Sequence, residues 1–138
     1  MRAEKWAPRV AIALLLLVVL GALFGLGREY MQKRYETANQ AIRLTGGDPD
    51  RGEAAIGRYG CGACHQIPGI PGARGRVGPP LTGIAGRVYI AGRLSNTPPN
   101  MMLWIQHPQH VEPGTDMPEM GVTNRDVHDI AAYLYTLQ

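Results

Sequence analysis

The chain holds 2 cysteines, Cys61 and Cys64, and a histidine, His65, follows the second directly. Cys-x-x-Cys-His is the attachment signature of c-type haem. The two thiols add to the two vinyl groups of a porphyrin, and the two-residue spacer lets a single helical turn present both. His65 is then carried under the ring, where its imidazole takes the iron from the proximal side. Rival uses of the motif fit less well. A thioredoxin-type pair needs a βαβ setting, and no such pattern is visible. A zinc site wants four ligands, and only His107 and His110 could supply the second pair. A disulfide between cysteines so close would close a strained ring.

A porphyrin would also account for an unusual composition. Of 138 residues, 18 are Gly and 11 are Pro, while Phe occurs once, so long regular elements are few and the side-chain core is thin. A buried haem repairs that deficit as a large apolar core group. A length of 138 residues makes one domain the expectation. Net charge is +3, but residues 1–9 hold Arg2, Lys5 and Arg9 against Glu4, while residues 28–138 are nearly balanced. This argues against a nucleic-acid partner and bears on membrane orientation instead.

Residues 10–26 are an uncharged run rich in Leu, Val, Ala and Ile. As a helix the run covers about 25 Å, near the lower limit for crossing a bilayer. Trp6 and Tyr30 could sit at its two interfaces, and the positive-inside rule puts Arg2, Lys5 and Arg9 in the cytoplasm. A cleaved signal peptide would look similar. The run exceeds the usual signal core, and no Ala-x-Ala site follows it. The domain plan expected is therefore 1–27 for the cytoplasmic end and anchor, 28–47 for a stalk and linker, and 48–138 for the haem domain.

In the stalk, Met31, Tyr35, Ala38 and Ile42 recur at helical spacing, as a contact face for a partner subunit or a weak stripe on a solvated spacer. Thr45-Gly46-Gly47 ends that helix. Asp48 caps the next, Pro49 suits its first position and Asp50 faces its positive end; it runs to about Tyr59. Residues 66–81 are Gly/Pro-rich loop. A short helix over residues 100–106 follows Pro98-Pro99 and stops at His107-Pro108. Thr123 caps a last helix with Asp126 as a capping-box acid; Val127, Ile130, Ala131 and Leu134 form its apolar face, and His128 lies on its surface.

From residue 48 onward this order of features resembles a class I cytochrome c, which implies an all-α domain of short helices wrapped round one covalent haem, here preceded by the expected N-terminal transmembrane helix. The helix before Cys61 matches, Gly78-Pro79-Pro80-Leu81 matches the family's Gly-Pro-x-Leu loop, and Pro113-Gly114-Thr115-Asp116-Met117 matches its Pro-Gly-Thr-x-Met loop. The resemblance implies that the Pro79 carbonyl accepts a hydrogen bond from His65 and that Met117 is the sixth iron ligand. It also implies that Thr115 and Arg87 meet the haem propionates and that Trp104 lies beside the methionine ligand. Tyr133 and Leu134 match the aromatic and aliphatic positions of the final helix. Competitors for the sixth position are Met120, His107, His110, or an open site; Met101 and Met102 fit the core better.

The anchor departs from the soluble family pattern and resembles the tethered cytochromes c of bacterial respiratory chains. That resemblance implies a single-electron carrier, not an enzyme, on the outer face of the cytoplasmic membrane. Its donor and acceptor would be membrane redox complexes such as a cytochrome bc-type complex and a terminal oxidase. Alternatives are a haem c subunit of a larger oxidase or reductase, or a haem-based sensor of small ligands. Residues 51–93 hold six arginines against Glu53, while residues 94–138 are mostly acidic. The asymmetry is either a dipole that steers docking or a set of mutual ion pairs.

Overall fold

The computed structural model describes residues 6–138, so Arg2 and Lys5 lie outside the described residues. The chain divides into two compact units, Met1–Glu36 and Thr37–Gln138. Helix α1 spans Ala7–Thr45. In the first unit its apolar side chains, from Val10 to Leu26, are exposed. A helix apolar all round belongs inside protein or lipid, and α1 is long and apolar enough to cross a membrane. It is a candidate anchor, although a signal sequence near an N-terminus passes the same test. Past residue 26 the surface turns polar: Lys33 pairs with Glu29 at 3.2 Å, and Gln32 donates to Glu36 at 3.0 Å. Such one-turn pairs add about 0.2–0.5 kcal/mol each.

In the second unit the last turns of α1 bury Ala41 and Thr45, while Ile42 is 41% exposed, and in the first unit Met31 and Tyr35 are exposed. Small side chains allow close approach here, and Thr45 satisfies its hydroxyl by donating to the Ala41 carbonyl at 2.8 Å. Gly46 adopts φ 71°, which ends the helix as a left-handed residue.

Among the described residues the rest is four further α-helices, two 3-10 turns and one small hairpin. Helix α2 (Pro49–Arg58) begins as expected, with the Asp48 side chain accepting from the Asp50 and Arg51 amides. A 3-10 turn, Cys61–Ala63, follows, and another, Ile84–Gly86, comes after the long loop. Strands β1 (Tyr89–Ile90) and β2 (Leu94–Ser95) pair antiparallel. Helix α3 spans Pro98–Gln106, capped by Thr97. Both prolines thus lie inside its first turn, where a missing N–H costs nothing. Helix α4 (Pro108–Val111) is an added turn beyond the expected stop. Helix α5 (Asn124–Thr136) closes the chain.

The core lies where α2 and α3 pack on α5, with Ala55, Ile56, Met101, Ile105, Val127, Ile130, Ala131 and Leu134 buried. The capping box of α5 has an inserted member. Thr123 accepts from the Asp126 amide at 3.2 Å, but the Thr123 amide donates to the Tyr59 hydroxyl at 3.3 Å, and that hydroxyl donates to Asp126 at 2.8 Å. Tyr59, at the end of α2, therefore completes a cap on α5. His128 is exposed as expected, yet its Nδ1–H donates to the Thr45 carbonyl.

Asp129 is the polar centre of the packing. It is 2% exposed and accepts from the Asp48 amide at 2.7 Å and from Arg51 at 2.8 and 2.9 Å. The Arg51 guanidinium holds its carboxyl below the usual range despite burial. A depressed folded pKa contributes stability that is complete above the unfolded carboxylate value, about 3.9, and fades as pH falls through the folded value. Arg51 is half exposed, which screens the pair, so Asp129→Asn is expected to cost about 1–3 kcal/mol at neutral pH. Thermal melts should show Tm lowered by roughly 4–24 °C at pH 7, with the gap to wild type closing below pH ~3.9. A gap unchanged on acidification would remove the ion pair as its source.

Candidate functional site

The left-handed Gly60 (φ 68°) ends α2 and starts the turn that carries the cysteines. Within it the Cys64 amide donates to the Cys61 carbonyl at 3.2 Å and the His65 amide donates to the same oxygen at 3.0 Å. Both thiols are half-buried and unbonded to each other. Burial pushes the Cys61 thiol up.

The loop after His65 folds back onto the motif. The Gly75 amide donates to the Gly62 carbonyl at 3.1 Å, Gly78 to Cys64 at 2.9 Å, and Leu81 to Gln66 at 2.8 Å. His65 Nδ1–H donates to the Pro79 carbonyl at 2.8 Å. A Cβ on Gly78 would lie 2.3 Å from the His65 ring, so the imidazole occupies the space that glycine leaves. With Nδ1 tied to Pro79, the lone pair of Nε2 is left for a metal, and the bond raises the ring's basicity. Arg87 reinforces the loop by donating to the carbonyls of Pro80 and Thr82.

Met117 sits half-buried between α4 and α5, as does Thr115. The Thr115 amide donates to the Glu112 carbonyl at 3.1 Å. Trp104, on α3, packs partly buried against the core cluster, and Met102 joins it, while Met101 is buried within that cluster. Met120 is 38% exposed. His107 is exposed, 3.5 Å from Glu119, and His110 is exposed on α4. Among the described residues no three His, Cys, Asp or Glu side chains gather to hold a metal ion, so these histidines form no zinc site with the cysteines. Two thiols on one turn, an imidazole with a fixed Nδ1 and a soft thioether are a donor set that fits haem c.

Sequence reasoning missed several participants. Gln109 donates from Nε2 to the carbonyls of Thr115 and Met117. Asn96 donates to the carbonyls of Ile84 and Arg87 at 2.8 Å and accepts from the Tyr135 hydroxyl at 2.9 Å. Neither carries a motif; their only signal is an amide side chain in or beside a turn, where such groups satisfy backbone.

The arginine excess is largely internal. Arg51 pairs with Asp48 and Asp129, Arg58 with Asp126, and Arg93 with Glu112. These pairs join the basic segment to the acidic one and cancel much of the sequence dipole. Among the described residues Arg74 and Arg76 have no salt bridge, and they line an open cleft with Gln66 and Thr82.

Comparison with known proteins agrees with this site. The family model for cytochrome c matches residues 49–138. The chain is similar to cytochrome c2 of Rhodoblastus acidophilus, 38% identical over 103 residues, which is 64% of this chain and 91% of that protein. No solved structure matches the chain. The matched residues include Cys61, Cys64 and His65, where the two cysteines fit covalent haem c attachment of the Cys-x-x-Cys-His type, and the chain belongs to the class I cytochromes c.

Proposed function

We propose that this electron-carrying haem protein is a membrane-anchored shuttle of single electrons, held by residues 10–26 in the bacterial cytoplasmic membrane. Its N-terminus is cytoplasmic, residues 28–47 form a stalk and linker, and the haem domain of residues 48–138 faces outward. The observation that carries most is the His65–Pro79 hydrogen bond at 2.8 Å under Gly78, which fixes one axial ligand. Bound haem c supplies an iron that takes up and returns one electron. His65 and Met117 would hold the iron from its two sides and would leave no position on it for a substrate. Met117 supplies a soft, neutral ligand that raises the potential. Thr115 and Arg87 serve the propionates, and Trp104 walls the methionine side.

Membrane redox complexes, a cytochrome bc-type complex and a terminal oxidase or similar, are the donor and acceptor. Tethering near such complexes raises their effective concentration at the cost of reach. The ferric spectrum tests the closed site: the weak long-wavelength sulfur-to-iron band is expected, with little carbon monoxide uptake on reduction. An absent band with ready uptake points to a sensor instead. The anchor is tested separately. The full chain should resist carbonate washing of membranes and need detergent for release, and recovery in the wash would remove the tether. Stoichiometric migration with large membrane subunits would make it a bound subunit of a larger complex.

A further inference from the structure

We propose that Gln109 is the positioning residue of the Met117 loop, holding the methionine where it meets the iron; this rests on Met117 as an axial ligand. Residues 112–123 form no helix or strand. An irregular stretch of that length must be tied down or it will sample many states. Among the described residues the backbone from Asp116 to Gly121 makes no backbone–backbone hydrogen bond. Side chains take their place: Gln106 Nε2 donates to the Val122 carbonyl at 3.1 Å and His107 lies 3.5 Å from Glu119, but at Met117 itself the partner is Gln109. Gln109 Nε2 donates to the Thr115 carbonyl at 2.7 Å and the Met117 carbonyl at 2.8 Å, and its Oε1 accepts from the Gly114 amide at 3.2 Å.

Both amide N–H groups and the amide oxygen are thus spent on one short loop. The bond at Met117 is the one hydrogen bond that residue makes among the described residues. Gln109 is itself fixed from below. It belongs to α4, whose first residue, Pro108, is among the most deeply buried side chains. The clamp also selects between two methionines. It grips the backbone at Met117, whereas Met120 is exposed and no hydrogen bond holds it. Loss of the clamp therefore frees the ligand without disturbing the packing of α2 and α5.

The test uses the full-length, haem-loaded protein. Gln109→Met keeps length and apolar stem but makes none of the three bonds. Its expected signature is carbon monoxide uptake by the ferrous form about ten-fold faster than wild type or more. The ferric sulfur-to-iron band is lost at lower temperature while the far-UV helix melt stays near wild type. Gln109→Glu still accepts from Gly114 but sets a carboxylate against two carbonyls, so it should exceed the Met variant; it also decides the matter if Gln109→Met fails to accumulate. Wild-type uptake and band in either variant overturns the clamp. Persistence of the band in Met117→Ala overturns the ligand assignment instead, so the two failures are distinguishable.

Discussion

Met117→Ala is expected to abolish the long-wavelength sulfur-to-iron band of the ferric protein and to open the ferrous form to carbon monoxide. Its midpoint potential should fall by on the order of 0.1–0.3 V, a fraction of the roughly 0.8 V that axial ligands span. Removing the thioether deletes the soft ligand that favours the ferrous state. It touches little else, since the side chain is half-buried and outside the buried core. The fold should therefore survive, with thermal melts near those of wild type. Met120→Leu is the matched control and should keep the band. A band lost in Met120→Leu but kept in Met117→Ala would move the ligand three residues along the loop.

Gly52→Ala and Gly57→Ala should change stability in opposite directions, although both place the same methyl on the same helix. A Cβ at Gly52 would sit 2.0 Å from the Asp129 carbonyl oxygen and 2.9 Å from the Tyr133 Cβ, whereas one at Gly57 meets nothing within 4 Å. The first collision is with backbone, which cannot rotate away, so α2 and α5 must separate. The cost is about 3 kcal/mol or more, a fall in Tm of roughly 12–24 °C for a domain this size. At Gly57 the methyl only removes backbone freedom from the unfolded chain and should stabilise by about 0.5–1 kcal/mol. Denaturant midpoints of the two variants measure both signs at once. Equal destabilisation would mean that α2 tolerates no side chain on either face.

Local chemistry made much of this structure readable from the chain. Asp48-Pro49 and Thr123 cap their helices through contacts a few residues long, whereas the bond from His65 to the Pro79 carbonyl was implied by the family resemblance and not by local chemistry. What escaped notice was decided across long separations. Asp129 reaches back to Asp48 and Arg51, and Tyr59 enters the cap of a helix more than sixty residues on. Hydrophobic spacing says which face of α5 is buried, but not that a carboxylate lies under it. Ala41 and Thr45 suit a close contact through small size, a property that apolar periodicity does not register. Gln109 was near in sequence to its partners yet hidden, because an amide after His-Pro looks like any turn residue.

The junction of α2 and α5 also governs the order of events during synthesis. The first helix of the haem domain has its main packing partner, and the Asp129 carboxylate that receives Arg51, at the far end of the chain. Contacts of such separation form only after the connecting chain exists. A nascent chain emerging in order therefore holds α2 without a counterpart until residues 124–136 arrive. Through that interval Cys61 and Cys64 are expected to stay accessible, because the loop bonds from Gly75 and Gly78 that enclose them belong to the folded domain.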